Sequence, residues 1–332
     1  MNIDAVTKAV QSVTGGPCLL HRPHLNADDD HAVLDVLGRG DLVQADVIAA
    51  FEAKLAEVTG RRYAVATLTG TMALRTSLDV LAIHTVAMPT LTYCATLAAK
   101  PINHYSFYDN LEPVSPVRDA LVTVDLFGLP CADVELASNV WISDVCESLG
   151  TTGTWDSRML AACYSFNANK IVTCGQGGAI VTDDEDWADM VRQYLNQGRV
   201  KGSLTPEFIG TNGRMSPMCA ALGLSQLDRF DDILAAHREV HDRYLEALAG
   251  IDEIRVVRAP AGVSWNHWLT VVQVDDAADR DPLLSALHAL GIEARACFPC
   301  LHKHGPWRDE SLSFPAAEDF SARTLLLPSG AL

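Results

Sequence analysis

Apolar residues recur along this chain with two different periods. Tyr63–Leu68, Val86–Pro89, Ala120–Phe127, Val140–Ser143 and Ala161–Phe166 are short, nearly unbroken apolar runs bounded by turn residues. That is the pattern of strands buried on both faces. Around them the period lengthens. Val47, Phe51, Leu55 and Val58 fall three or four residues apart, which predicts a helix from about Asp46 to Val58, ended by Gly60. Asn26-Ala-Asp-Asp-Asp can cap a helix through His31–Leu37 that stops at Gly38-Arg-Gly. Further helices are predicted over Met72–Ala82 and Trp187–Leu195. Ser216-Pro217 reads as an N-cap and a first-turn proline. It opens one long helix over 216–249, with Leu224, Leu227 and Leu234 on one face and Gly250 at its end. Beyond it, Leu269–Val274 reads as a strand and Leu283–Leu290 as a helix, and Gly291-Ile-Glu-Ala-Arg begins another strand. Buried strands alternating with helices predict an α/β architecture. A chain of 332 residues is long enough for a large domain, expected over 1–230, and a smaller one over 231–332, joined by the long helix.

Charge narrows the partners. The formal net charge is −17, and such a surface repels nucleic-acid backbones. A small anion held by a local cluster of donors stays possible. No apolar run is long enough to span a membrane, and the N-terminus lacks a basic segment followed by an apolar run, so a cytoplasmic protein is expected. The nine cysteines are scattered without a framework spacing, which fits reduced thiols. Cys297, Cys300, His302 and His304 offer four zinc-type ligands. Pro299 and the short spacing suit a finger poorly, and no metal is expected there.

The chemistry concentrates in Ala161 to Asp184, which reads as strand, polar turn, lysine, glycine-rich loop, strand. The lysines are Lys8, Lys54, Lys100, Lys170, Lys201 and Lys303, and Lys170 is the one most clearly enclosed by strands and glycines. Burying an ammonium costs several kcal/mol unless it is paired or neutralised. Condensation of a desolvated lysine amine with an aldehyde is one neutralisation; a hairpin lysine that reaches water is the other reading. Thr69-Gly70-Thr71 joins a predicted strand to a predicted helix, an arrangement that points free N–H groups and a helix dipole at an anion. Asp144 lies just beyond the strand at 140–143, where an open α/β sheet presents groups to a ligand. No GxGxxG follows the first strand, which weighs against a nicotinamide-dependent enzyme. Arg199 and Lys201 form a basic loop that could meet a phosphate but reads more simply as solvated.

These segments resemble a known family. SFNANK followed by GQGGAIVTDD, together with TGTMAL at 69–74, PTLTYCAT at 89–96, DVCESLG at 144–150 and GTNGRMS at 210–216, is similar to the motifs of the DegT/DnrJ-type sugar aminotransferases. The resemblance runs from about residue 24 to 330, with the motifs in order. It implies a pyridoxal-phosphate (PLP) enzyme of fold type I, with a mainly parallel seven-stranded sheet between helices and a smaller C-terminal α+β domain. It implies that Lys170 carries the cofactor and then moves a proton, and that Asp144 pairs with the pyridine nitrogen. Tyr93 would lie against the ring and Glu147, at a position more often glutamine, would contact the ring substituents. Thr69, Gly70, Thr71 and Ser165 would hold the phosphate, and Asn212 would reach across a homodimer interface to the partner's phosphate. The substrates implied are L-glutamate and a keto-sugar, as a nucleotide-linked 4-keto-6-deoxy sugar. Gly213 stands where the family usually has an aromatic residue. The family also holds PLP-dependent sugar dehydratases, which carry histidine at the lysine position, so Lys170 argues for amino transfer. A non-catalytic binding protein of the same fold is the remaining alternative, which an intact lysine, aspartate and phosphate turn oppose.

Overall fold

The computed structural model describes residues 1–43, 46–98, 104–109, 119–131, 140–153, 155–200 and 202–332. Lys201, half of the expected basic loop, lies outside them. The chain begins with α1 (Ile3–Thr14), capped by the Asn2 side chain, and a short strand β1 (His21–Arg22). The aspartate-rich segment starts α2 (Ala27–Arg39), where Asn26 accepts from the Asp28 and Asp29 N–H groups and the Asp29 carboxylate accepts from the Asn26 N–H. This reciprocal cap satisfies donors the helix would otherwise leave open. α3 (Asp46–Thr59) follows, burying Phe51 and Leu55.

The central layer then builds up as β2 (Tyr63–Thr67), α4 (Gly70–Val80), β3 (Thr85–Pro89), α5 (Ala95–Ala98) and β4 (His104–Tyr108). It continues through β5 (Ala120–Val124), β6 (Trp141–Asp144), β7 (Ala161–Ser165), β8 (Gly178–Thr182) and α6 (Glu185–Leu195). The seven strands lie in the order β2-β8-β7-β6-β5-β3-β4. The β3–β4, β3–β5, β5–β6 and β6–β7 pairs are parallel, while β8 runs antiparallel to β2 and β7. The nearly continuous apolar runs follow from this: β5 and β8 are buried along their whole length, with helices covering the sheet. The strand expected over 120–127 stops at Val124, and Leu126–Gly128 is a short helical turn instead.

The helix expected over 216–249 is two helices, α7 (Pro217–Asp228) and α8 (Phe230–Ala247). Arg229, at φ −120° and ψ 29°, leaves the helical region between them. Its guanidinium meets the buried Asp29 carboxylate at 2.5 Å and also donates to the His24 carbonyl. After α8 come β9 (Ile254–Val256), β10 (Thr270–Val274), α9 (Arg280–Ala289), β11 (Arg295–Ala296), α10 (Pro315–Arg323), β12 (Thr324–Leu327) and β13 (Ser329–Gly330). Four of these strands form an antiparallel sheet in the order β11-β12-β10-β9. The strand expected from Gly291 is only the two residues of β11. The N-terminal helix departs from a division of the chain at residue 230. Val6, Val10 and Val13 of α1 share a core with Val240 and Tyr244 of α8, Leu283 and Leu287 of α9, and Leu325 of β12. β1 likewise pairs in parallel with β13. Both ends of the chain therefore belong to the smaller layer.

Candidate active site

Strands β5, β6 and β7 end side by side, and each delivers a polar group at its C-terminal end: Asp125 just past β5, Asp144 at the end of β6 and Ser165 at the end of β7. A cavity of about 490 Å³ opens there, roofed by Trp268 and by Glu293–Pro299 from the smaller layer. This is the edge of an open α/β sheet where ligands are expected.

The lysine loop is built by close backbone approach. Phe166 N–H donates to the Gly177 carbonyl and Cys174 N–H to the Phe166 carbonyl, closing residues 167–176 into a compact turn. A Cβ on Gly178 would stand 2.3 Å from the Thr69 carbonyl carbon, so only glycine lets β8 pass this close to the start of α4. Within the turn, Lys170 Nζ lies 3.2 Å from Glu147 Oε1, with side chains only 13% and 10% exposed. Its other neighbour is the Trp268 ring, 4.0 Å from Nζ to the centroid. Glu147 Oε2 accepts from the Phe127 N–H at 2.8 Å. Burial pushes the Glu147 carboxyl above its ordinary range and the Asp144 charge adds to this, while the Lys170 ammonium and the Phe127 N–H oppose it.

Asp144 is buried. Its Oδ2 accepts from the Thr96 hydroxyl at 2.7 Å and its Oδ1 from the Cys146 N–H at 3.2 Å. Thr92 Oγ1 lies 2.8 Å behind Thr96 Oγ1 and continues the chain. Asp125, beside it, is pushed up to about 7 by burial, against the Cys131 N–H and Ser148 hydroxyl that it accepts from; the Asp144 charge adds to the rise.

The start of α4 faces this floor. Thr69 caps the helix through its side chain, which accepts from the Met72 N–H at 3.0 Å. Gly70 sits so close to the end of β7 that a Cβ would meet Ser165 Cβ at 2.8 Å and Cys146 Sγ at 2.9 Å. The first-turn N–H groups, Thr71 and Ser165 therefore surround one corner of the cavity, a ready anion site. Tyr93 is exposed on the opposite wall, 5.5 Å from the Phe298 ring.

Eight residues singled out from sequence thus line one cavity: Thr69, Gly70, Thr71, Tyr93, Asp144, Glu147, Ser165 and Lys170. Asn212 does not. It is exposed, bridges to Asn196 and lies outside the lining. Its neighbour Gly213 has no room for a side chain, since a Cβ would stand 2.6 Å from Leu195 Cδ2 and 2.9 Å from Met72 Cγ. In the segment once weighed as a metal loop, His302 is buried, with Nδ1 2.6 Å from the Thr90 hydroxyl and Nε2 3.1 Å from Glu318 Oε1. It ties the loop to the end of β3 and to α10. Arg199 turns back on its own loop, donating to Asn196 and Gln197. Sequence reasoning missed Thr96, Asp125, Trp268 and Arg295. Thr96 stands in the same segment as Tyr93 and could have been flagged as a donor, whereas nothing local marks Trp268.

Comparison with known proteins extends this picture. The model of the DegT/DnrJ/EryC1/StrS aminotransferase family matches residues 23–104 and 111–332. The GDP-perosamine synthase of Escherichia coli O157:H7 is 30% identical over 316 residues, 86% of this chain and 85% of that protein. EpsN of Bacillus subtilis strain 168, named as a pyridoxal phosphate-dependent aminotransferase, is 29% identical over 357 residues, 94% of this chain and 90% of that one. The crystal structure of DesI, determined in the presence of its TDP-sugar product, superposes with a TM-score of 0.82 at 30% identity, covering 97% of this chain and 92% of that chain.

Proposed function

The chain belongs to the DegT/DnrJ/EryC1/StrS aminotransferase family, and from that premise we propose that it moves an amino group from L-glutamate to a nucleotide-linked 4-keto-6-deoxy sugar in amino-sugar biosynthesis. It is a PLP-dependent sugar aminotransferase of fold type I. The names of its relatives, one a GDP-sugar enzyme and one seen with a TDP-sugar, support a nucleotide-linked substrate. Nine cysteines scattered without a framework spacing support a cytoplasmic setting.

One observation carries the reading: a single cavity holds an amine, a buried carboxylate and a hydroxyl-rich helix start. PLP has an aldehyde, a basic ring nitrogen and a phosphate, and the cavity offers one counterpart for each. Lys170 Nζ suits the aldehyde. Asp144, held by the Thr96 hydroxyl and the Cys146 N–H, suits a protonated ring nitrogen. Thr69, Gly70, Thr71 and Ser165 suit the phosphate. When bound, PLP supplies an electron-poor ring that withdraws electrons from the carbon bearing the amino group.

The protein's own residues do the rest. Asp144 places a hydrogen-bonded carboxylate group in a buried position, where it would face a protonated ring nitrogen. Tyr93 supplies a flat wall for the ring. Lys170 Nζ, once free, would take a proton from the substrate carbon and return it to a neighbouring carbon from the same side, the work of a positioned general base and acid. Glu147 accepts a hydrogen bond from that amine in the meantime. Asn212, exposed and outside the lining of its own cavity, supports a homodimer in which it serves the partner's phosphate corner. A lysine at position 170 also supports amino transfer over dehydration.

The test is spectroscopic. Purified protein mixed with PLP should develop a visible absorption band that L-glutamate bleaches and that a keto-sugar nucleotide restores. Lys170→Ala should lack the covalent band. A native band that glutamate leaves untouched would overturn the donor assignment and favour the dehydratase. The same band in Lys170→Ala would remove Lys170 from its role.

A further inference from the structure

Lys170 is anchored from two sides by groups that belong to different layers of the molecule. On one side is the Glu147 carboxylate, 3.2 Å from Nζ. On the other is the face of Trp268, 4.0 Å from Nζ to the ring centroid. Trp268 stands just before β10, in the smaller layer, and is almost fully buried. Its indole and its backbone are each held by a hydrogen bond. The indole Nε1–H donates to the Asn169 carbonyl, immediately before Lys170, at 2.5 Å, and the backbone N–H donates to Asn266 Oδ1 at 3.1 Å. The same Asn266 donates through Nδ2 to the Glu147 carbonyl at 2.8 Å and the Leu149 carbonyl at 3.1 Å. One asparagine therefore sets the spacing between the carboxylate and the ring that flank the amine.

A desolvated ammonium over an indole face is attracted by the ring quadrupole, and an adjacent carboxylate adds a charge-assisted hydrogen bond. A lysine side chain is otherwise a flexible stem with several rotatable bonds. We propose that Trp268 and Glu147 form a cation clamp that holds the Lys170 amine beside the cavity whenever that amine is free. Trp268 is a positioning residue in this scheme: it touches the lysine and orients it for proton transfer. The carboxylate at 147, where glutamine is the more usual residue, lets the clamp carry a full charge pair. The clamp rests on Lys170 being the working amine.

The clamp can be read without the cofactor. In the PLP-free full-length protein, pulse acylation with acetic anhydride at fixed pH, followed by peptide mass spectrometry, gives the reactivity of Lys170 with Lys8, Lys54 and Lys303 as internal standards. Trp268→Leu and Glu147→Gln should each raise the Lys170 rate about three- to tenfold over native, because each removes one of the two groups that hold and shield Nζ. Trp268→Phe keeps an aromatic face while losing the Nε1–H bond, and should stay within about twofold of native. In the loaded enzyme, Trp268→Leu should lower kcat while leaving the donor KM nearly unchanged. A native acylation rate in Trp268→Leu would overturn the clamp, as would equal rates in Trp268→Phe and Trp268→Leu. If the leucine variant does not fold, Trp268→Met fills the volume without a ring and is read in the same way. These outcomes are separate from the absorption test of Lys170→Ala: a persistent band there would sink the aminotransferase role of Lys170, whatever its acylation rate.

Discussion

Gly70 shows how tightly the phosphate corner is specified at the scale of one residue. Its missing side chain is what lets the start of α4 rest on the end of β7. In Gly70→Ala the new Cβ would overlap Ser165 Cβ and Cys146 Sγ and come within 3.2 Å of Ser165 Cα. Backbone has to move, which costs about 1–3 kcal/mol. The displaced Ser165 also loses its place opposite the helix N-terminus. The expected outcome is a lower thermal midpoint together with weaker PLP retention, checked by calorimetry and by cofactor titration; native retention would show that the corner does not hold the phosphate. Single residues were also what sequence reading handled best. Asp144 and the 69–71 turn were legible because they sit at or just past a strand end, and Lys170 because it lies in a glycine-bearing turn between two strands; strand ends and turns are fixed by local pattern. Thr96 and Trp268 were not, because their importance lies in which side chain they touch.

At the scale of elements, the packing of β1 and α8 creates a seam that no local pattern announces. His21 of β1 stacks on His237 of α8, with ring centroids 5.4 Å apart, and His24 lies 5.5 Å from His237 on the other side. His241, one turn further on, stacks at 3.9 Å on His267, which precedes β10. Burial holds all of these rings neutral: His21 and His267 are pulled down to about 3, and His237 and His241 to about 4. The neighbouring histidines add to this at His21, His237 and His267, and the Lys170 charge adds further at His21. The sign follows from linkage. The folded state binds these protons less tightly than the unfolded chain, whose histidines titrate near 6.5. Stability is therefore complete above about pH 6.5 and is lost as pH falls through about 4 and on towards 3. His237 alone would cost about 3 kcal/mol at pH 4. A steep fall in thermal midpoint below about pH 6 is expected. His241→Phe should flatten it, and an unchanged slope in that variant would count against the seam as its origin. The break at Arg229 belongs to the same scale. Sequence periodicity continued through it, because a helix of 3.6-residue period can pause for one residue without losing its apolar face. The reason for the pause is an ion pair with Asp29, 200 positions away.

For the whole molecule, the question is how one chain completes its site. Asn212 lies outside the cavity, and the loop just before it exposes Leu204 and Ile209, at 88% and 95%, in a protein of net charge −17. Under the proposed homodimer, these two side chains are candidates for the surface that the second copy covers. A homodimer is expected in sedimentation experiments. The double variant Leu204→Asp, Ile209→Asp should run at half the native mass and retain PLP more weakly, since the partner's Asn212 would be lost. A native dimer that survives both aspartates would place the interface elsewhere. Among the described residues no helix is long and apolar enough to cross a membrane.

The sequence alone determined the α/β alternation, the sheet strands that carry the site and the residues at their ends. Burial on both faces and turn chemistry are written in neighbouring residues, and a strand–turn–helix unit places its own polar groups. Tertiary structure alone decided that α1 joins the smaller layer, that four histidines of β1, α8 and the segment before β10 meet in stacked pairs, and that an indole 98 positions along the chain covers Lys170. Those contacts depend on how layers dock. Docking is settled by shape and by the satisfaction of buried polar groups across the whole core, which no stretch of sequence encodes by itself.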